Sequence, residues 1–171
     1  MRPSARLAAR LGRPLVAAEI GVRDGANALD MLIGLELERL YLVDHYEPYK
    51  DGDGFLDRQA QDLFYCEAFK RLRPFQSKIT WVTRRSQLAY FLFPDHFFDY
   101  VYIDGEHSYA AVTQDLGLWY SRVKPDGVFA GHDIDFPAVK RAVTDFAAAL
   151  GLNYVEMDKD WILGNSAKIT A

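Results

Sequence analysis

FDYVYIDGEHSY, Phe98 to Tyr109, is followed one helix and one strand later by GHD, Gly131 to Asp133. The apolar run Tyr100-Val101-Tyr102-Ile103 has the continuous hydrophobicity of a strand buried on both faces, and it stops abruptly at Asp104-Gly105. Asp104, Glu106 and His107 collect after this strand, and His132, Asp133 and Asp135 after the next. Open α/β sheets bind ligands at the carboxyl ends of their strands. One polar strand end is ordinary turn chemistry. Two with matching carboxylates and imidazoles predict a site.

Working outward, strand and helix signals alternate. Strands are predicted at 15–20, 40–43, 79–82, 99–103 and 128–130, with helical spacing over 27–35, 56–72, 87–93 and 110–122. Pro137 opens a helix that Gly151 ends. Two last strands, 154–157 and 161–163, leave no room for a crossover helix and must pair antiparallel. This is the pattern of a mostly parallel sheet with helices on both faces. One domain is expected over 1–171, with 15–164 as the core and 1–14 as a helical, solvated cap.

Composition places the chain among soluble proteins of 171 residues with half of them hydrophobic. No apolar run reaches the ~20 residues of a membrane span, and the arginines near Met1 lack the apolar core of a signal peptide. A cytoplasmic protein without a membrane partner is expected. The net charge of −4 argues against nucleic acid. Lys70, Arg71, Arg73 and Lys78 gather at one helix end and read as dipole complementation. The single Cys66 excludes an internal disulfide and is expected to be buried.

The first strand-turn-helix, AEIGVRDGANALDML, carries Glu19, Gly21 and Gly25. Glycines here allow close backbone approach and present amides at a helix N-terminus. Their spacing is not the G-x-G-x-x-G of a dinucleotide site, which disfavours a dehydrogenase. Asp44, ending the second strand, is placed to accept hydrogen bonds from a ribose.

With these residues in order, the chain from about 15 to 164 resembles the class I S-adenosylmethionine-dependent methyltransferases. The motifs I-D-G-x-H-x-Y and H-D make it similar to the metal-dependent sugar O-methyltransferases, and more distantly to catechol O-methyltransferase. The resemblance implies a Rossmann-like, seven-stranded sheet in the order 3-2-1-4-5-7-6 with the last strand antiparallel. It implies S-adenosylmethionine as cofactor, with Glu19, Gly21 and Gly25 at the methionine end and Asp44 on the ribose. Thr83 to Ser86 would flank adenine, Ser86 most directly, and Asp104 would face both the sulfonium and a metal.

Methyl transfer is an in-line displacement that needs a positioned, activated acceptor. A hydroxyl requires a base or a metal at neutral pH. By the resemblance His107 is that base, worth about 10²–10⁴-fold, against a rival reading as a helix cap. Asp104, His132 and Asp133 match the metal positions, but related magnesium enzymes have a carboxylate where this chain has His132. Magnesium prefers oxygen, whereas imidazole suits manganese, iron or zinc. A softer metal, an outer-sphere His132 and no metal therefore all stand. Asp135 is expected to cap the helix after it.

The partner expected is a small-molecule acceptor, a sugar or phenol; a homo-oligomer, in which a second copy supplies part of the acceptor pocket, is left open. The loop from Tyr46 to Asp57 is the expected lid, with Asp51-Gly-Asp53-Gly as its mobile part. A rival function keeps the cofactor and lacks catalysis.

Overall fold

The computed structural model describes residues 1–51 and 54–164. Seven strands form one sheet: β1 (Leu15–Ile20), β2 (Leu37–Val43), β5 (Ile79–Val82), β6 (Phe98–Ile103), β7 (Val123–Gly131), β8 (Asn153–Met157) and β9 (Asp160–Gly164). Their spatial order is β5-β2-β1-β6-β7-β9-β8, and β9 runs antiparallel to both neighbours. Numbered within the sheet alone this is the order 3-2-1-4-5-7-6. A hairpin of β3 (Tyr49–Asp51) and β4 (Gly54–Leu56) stands apart from it. The hairpin falls within the segment expected as a lid, and Gly52 and Asp53 of the expected mobile part lie outside the described residues.

Every residue of β6 is buried, as a central parallel strand requires. Its side chains alternate between two cores. Tyr100 and Tyr102 join the layer of α1 (Pro3–Ala9), α2 (Ala26–Gly34) and α3 (Arg58–Leu72). Phe98, Val101 and Ile103 join the layer of α4 (Ser86–Ala89), α5 (Tyr109–Trp119) and α6 (Pro137–Leu150). No helix among the described residues is long and apolar enough to cross a membrane.

Several sequence expectations change. The segment before β1 is docked, not solvated: Ser4, Ala5 and Ala8 are buried, and Ser4 Oγ donates to Asp160 Oδ2 at 2.7 Å. Cys66 is exposed, because α3 buries only Gln61, Ala68 and Leu72, a single line facing the sheet. Val123 already pairs with Phe98, so β7 begins before the Lys124–Gly127 turn, which survives as a register shift. Arg71 does more than complement a helix dipole, since it ion-pairs with Asp24 at 2.7 Å and ties α3 to the turn after β1. Asp135 pairs with Lys159 at 3.2 Å, while Phe136 occupies the N-cap of α6 without a capping hydrogen bond. The N-cap of α5 is Ser108, which accepts from Ala111 N at 3.3 Å, so His107 is not a cap.

Past the paired residues of β1 and β6 the two chains stay in contact. Asp104 N donates to Ile20 O at 2.7 Å, and a Cβ on Gly21 would lie 2.1 Å from Asp104 O. Gly21 also has φ +89°, a left-handed value that disfavours side chains. Gly21→Ala is therefore expected to destabilise the fold by about 3 kcal/mol or more, because both the clash and the φ must be relieved by backbone movement. Urea denaturation measures this, and a cost under ~1 kcal/mol would contradict the close approach.

Candidate active site

The strand ends of β1, β2, β6 and β7 open into a cleft of about 490 Å³. Glu19, Gly21, Asp44 and Ser86 line it, as do Asp104, His107, His132 and Asp133. Gly25 does not line it. This glycine has φ +75°, and an added Cβ would meet Leu72 Cδ1 at 3.0 Å, so it serves the packing of α2 on α3.

Asp44 is committed to the main chain. Its Oδ2 accepts from Val22 N at 2.9 Å and Arg23 N at 3.0 Å, and its Oδ1 accepts from Tyr46 N at 2.9 Å. A carboxylate offers about four acceptor sites, so about one remains for a ribose hydroxyl. Asp44 thus shapes the turn after β1 while facing the cleft.

Glu19 is buried, and its Oε1 accepts from Asn27 Nδ2 at 2.9 Å. Its Oε2 is buried without a hydrogen-bond partner. Burial holds this carboxyl well above the usual range, with Asn27 pulling it back.

Across the cleft, Asp133 sits at φ +58°. A left-handed aspartate is uncommon, and here it turns the carboxylate between two imidazoles. Oδ2 lies 2.8 Å from His107 Nε2 and Oδ1 lies 3.0 Å from His132 Nδ1. Burial pushes the Asp133 carboxyl up, but these two hydrogen bonds outweigh it and hold it far below the usual range. Asp104 is driven the other way, raised by burial that His132 and Arg2 only partly offset. Asp104, His107 and Asp133 each bring a ligand atom within 4.8 Å of the others. His107 takes the place in this group that the sequence assigned to His132. His132 stays beside both carboxylates, its Nδ1 3.7 Å from Asp104 Oδ1 and 3.0 Å from Asp133 Oδ1.

The family is decided by comparison. The profile of the methyltransferase domain matches residues 18–134, which include the end of β1, all of β6 and the GHD turn. The chain belongs to the methyltransferase-domain family. Its sheet is that of the class I S-adenosylmethionine-dependent methyltransferases. The O-methyltransferase NovP is 16% identical, the match covering 95% of this chain and 76% of that one with a TM-score of 0.65. The 1,6-didemethyltoxoflavin-N1-methyltransferase of Burkholderia thailandensis, solved with 1,6-didemethyltoxoflavin and S-adenosylhomocysteine bound, is 16% identical, with 95% and 75% covered and a TM-score of 0.58. Precorrin 8w decarboxylase of Methanobacterium thermoautotrophicum is 14% identical, with 88% and 81% covered and a TM-score of 0.61. At such identities the likeness is one of fold. Among curated proteins none matches the sequence.

In this methyltransferase domain the segment after β5 divides. Arg84, Arg85, Ser86 and Gln87 line the cleft, whereas Thr83 lines a separate groove beside Tyr41 and Phe93. The Ser86 hydroxyl donates to Asp115 Oδ1 on α5, which leaves its oxygen lone pairs for a ligand. Sequence reasoning missed Arg2, Asn27 and Asp115, all of which line the cleft. Asn27 and Asp115 could have been noticed as polar breaks in apolar helical faces. Arg2 carried no such signal.

Asp115 is 7% exposed, and burial pushes its carboxyl up to about 6, with the Ser86 hydrogen bond pulling it down. The folded protein therefore keeps a proton that the unfolded chain, at the ordinary 3.8, has already released between about pH 4 and pH 6. Stability falls as pH rises through that window. Relative to Asp115→Asn, the wild type is expected to lose on the order of 2 to 3 kcal/mol between pH 4 and pH 7. Parallel stability profiles of the two proteins would refute the assignment.

Proposed function

We propose that the protein transfers a methyl group from S-adenosylmethionine to a hydroxyl oxygen of a small molecule, a sugar or a phenol. The observation that carries this reading is the convergence of Asp104, His107 and Asp133 at one end of the cleft that Glu19, Gly21 and Asp44 also line. When bound, the cofactor supplies an electrophilic methyl on a sulfonium. Asp44 takes a ribose hydroxyl, Arg84 to Gln87 flank the adenine, and Glu19 with the Gly21 turn receives the methionine end. Two carboxylates at the reacting end, Asp104 and Asp133, complement a sulfonium charge.

His107 is suited to hold the acceptor proton. A carboxylate only accepts, so in the pair with Asp133 the hydrogen resides on His107 Nε2 and the neutral ring carries its lone pair on Nδ1. Phe136 stacks on the imidazole at 4.9 Å with planes 18° apart and restrains its rotation. Asp133 thus orients the base, as a carboxylate behind a histidine does in other general-base sites. His107→Ala is expected to bind S-adenosylhomocysteine within about twofold of wild type while turnover falls by about 10²–10⁴-fold. Calorimetry paired with a product-release assay over sugars and phenols reads both numbers. If cofactor binding fell in step with turnover, His107 would be structural.

The same three residues also suit a divalent metal. Asp104 and Asp133 would supply oxygens and His107 a nitrogen, and the ion would polarise the acceptor hydroxyl. This mixed donor set favours manganese over magnesium, which prefers oxygen throughout. Manganese is then expected to raise the melting temperature more than equimolar magnesium, and Asp133→Ala to erase the difference. Identical melting curves with both metals would leave activation to the imidazole alone. A protein that binds the cofactor and methylates nothing would show tight S-adenosylhomocysteine binding with no effect of either metal or His107.

A further inference from the structure

Arg2, which the sequence did not single out, brings into the cleft a guanidinium whose carboxylate neighbours all lie beyond hydrogen-bond distance. Arg2 directly precedes α1, and α1 is pinned from beneath: Ser4 Oγ donates to Asp160 Oδ2 at 2.7 Å and lies 2.8 Å from Tyr100 OH, while Tyr102 OH donates to Asp160 Oδ1 at 2.7 Å. These groups are buried, so the start of the helix is held in place rather than draped over the surface. Arg2 is carried into the cleft, where its guanidinium lies 5.6 Å from the centre of the Tyr102 ring. Its Nε donates to Asn27 Oδ1 at 3.0 Å. Its terminal nitrogens stand 3.6 Å from Asp160 Oδ1 and 3.9 Å from Asp104 Oδ2, within ion-pair range but too long for hydrogen bonds.

On the other side of Asn27 the situation is reversed. Asn27 Nδ2 donates to Glu19 Oε1, and Glu19 Oε2 is a buried acceptor with no donor. One end of the cleft therefore presents a guanidinium fork short of acceptors and a carboxylate oxygen short of a donor, bridged by a single amide side chain. A ligand that supplies a carboxylate and an ammonium on adjacent atoms satisfies both. The α-amino acid group has this arrangement, and the fork of an arginine matches the two oxygens of a carboxylate. Of the other cleft arginines, Arg85 pairs with Glu47 at 2.7 Å and Arg23 lies over the Phe64 ring, while Arg84 belongs to the segment after β5.

We infer that Arg2 binds the α-carboxylate of the cofactor's methionine end while Glu19 Oε2 receives its α-ammonium, so that the segment before α1 is a working part of the cofactor site. The inference rests on the cofactor reading above and deepens it. Arg2 acts as a specificity residue, selecting nucleosides that carry an amino acid over those that do not.

The test compares two probes that share adenosine and a thioether: S-adenosylhomocysteine, which has the amino acid end, and 5′-methylthioadenosine, which lacks it. Calorimetry on the wild type, Arg2→Ala and Arg2→Lys is expected to show wild-type preference for S-adenosylhomocysteine. Arg2→Ala should lose about 10- to 100-fold for that ligand and less than about twofold for methylthioadenosine. Arg2→Lys should recover part of the preference, because it restores the charge without the fork. A purely structural Arg2, acting through α1, would weaken both ligands in parallel, and that result overturns the inference. So does a wild type that binds the two probes equally, although the cofactor reading then survives. A wild type that binds neither overturns the cofactor reading and this inference together.

Discussion

The closeness of two main chains just beyond the strand ends governs the rest of this molecule. β1 and β6 pair in parallel up to Ile20 and Ile103, and the pairing is prolonged by Asp104 N donating to Ile20 O. Nothing with a side chain fits at Gly21, because Asp104 O occupies the position a Cβ would take. That contact holds together the two strand ends from which Glu19 and Asp104 line one cleft. It also leaves the turn after β1 free to wrap over the Asp44 carboxylate, which gathers the amides of Val22 and Arg23. A glycine whose first apparent purpose is ligand access is required by the protein itself before any ligand arrives.

Electrostatics then separates carboxylates that look alike in the sequence. Asp104 and Asp133 both follow strands, both face the same cleft and both are largely buried. Burial raises each one, yet Asp133 ends far below its ordinary range and Asp104 above it. The difference is hydrogen bonding. Asp133 has an imidazole on each oxygen, whereas Asp104 has His132 and Arg2 only at ion-pair distance. Asp133 can therefore remain an anion and orient His107, and Asp104 is the more easily neutralised partner. Two titrating groups with values driven apart by their surroundings are a common way to divide roles within one site.

Much of this was legible from the sequence, for identifiable reasons. The parallel sheet showed because β6 is apolar at almost every position, and the terminal hairpin because no crossover helix fits between β8 and β9. The positions of Asp44, Asp104, His107, His132 and Asp133 were readable because strand ends are where a doubly wound sheet exposes polar groups. Their mutual geometry was not. Asp133 sits between His107 and His132 with a left-handed φ that no local pattern announces. Cys66 was misjudged because its aromatic neighbours suggested a buried face, while α3 turns Ala68 and Leu72 inward instead.

What the sequence determined by itself is the alternation of elements, and through it the mostly parallel sheet and the strand ends where polar groups gather, since hydrophobic periodicity and strand-end polarity are local properties of the chain; the strand order was implied by the family resemblance. What only the tertiary structure decided is which distant side chains share that edge. Arg2, Asn27 and Glu19 meet because α1 and α2 pack on one face of the sheet, and Ser86 meets Asp115 because α4 and α5 pack on the other. Such meetings are set by how buried faces fill space, and a residue's own neighbours in sequence carry no record of them.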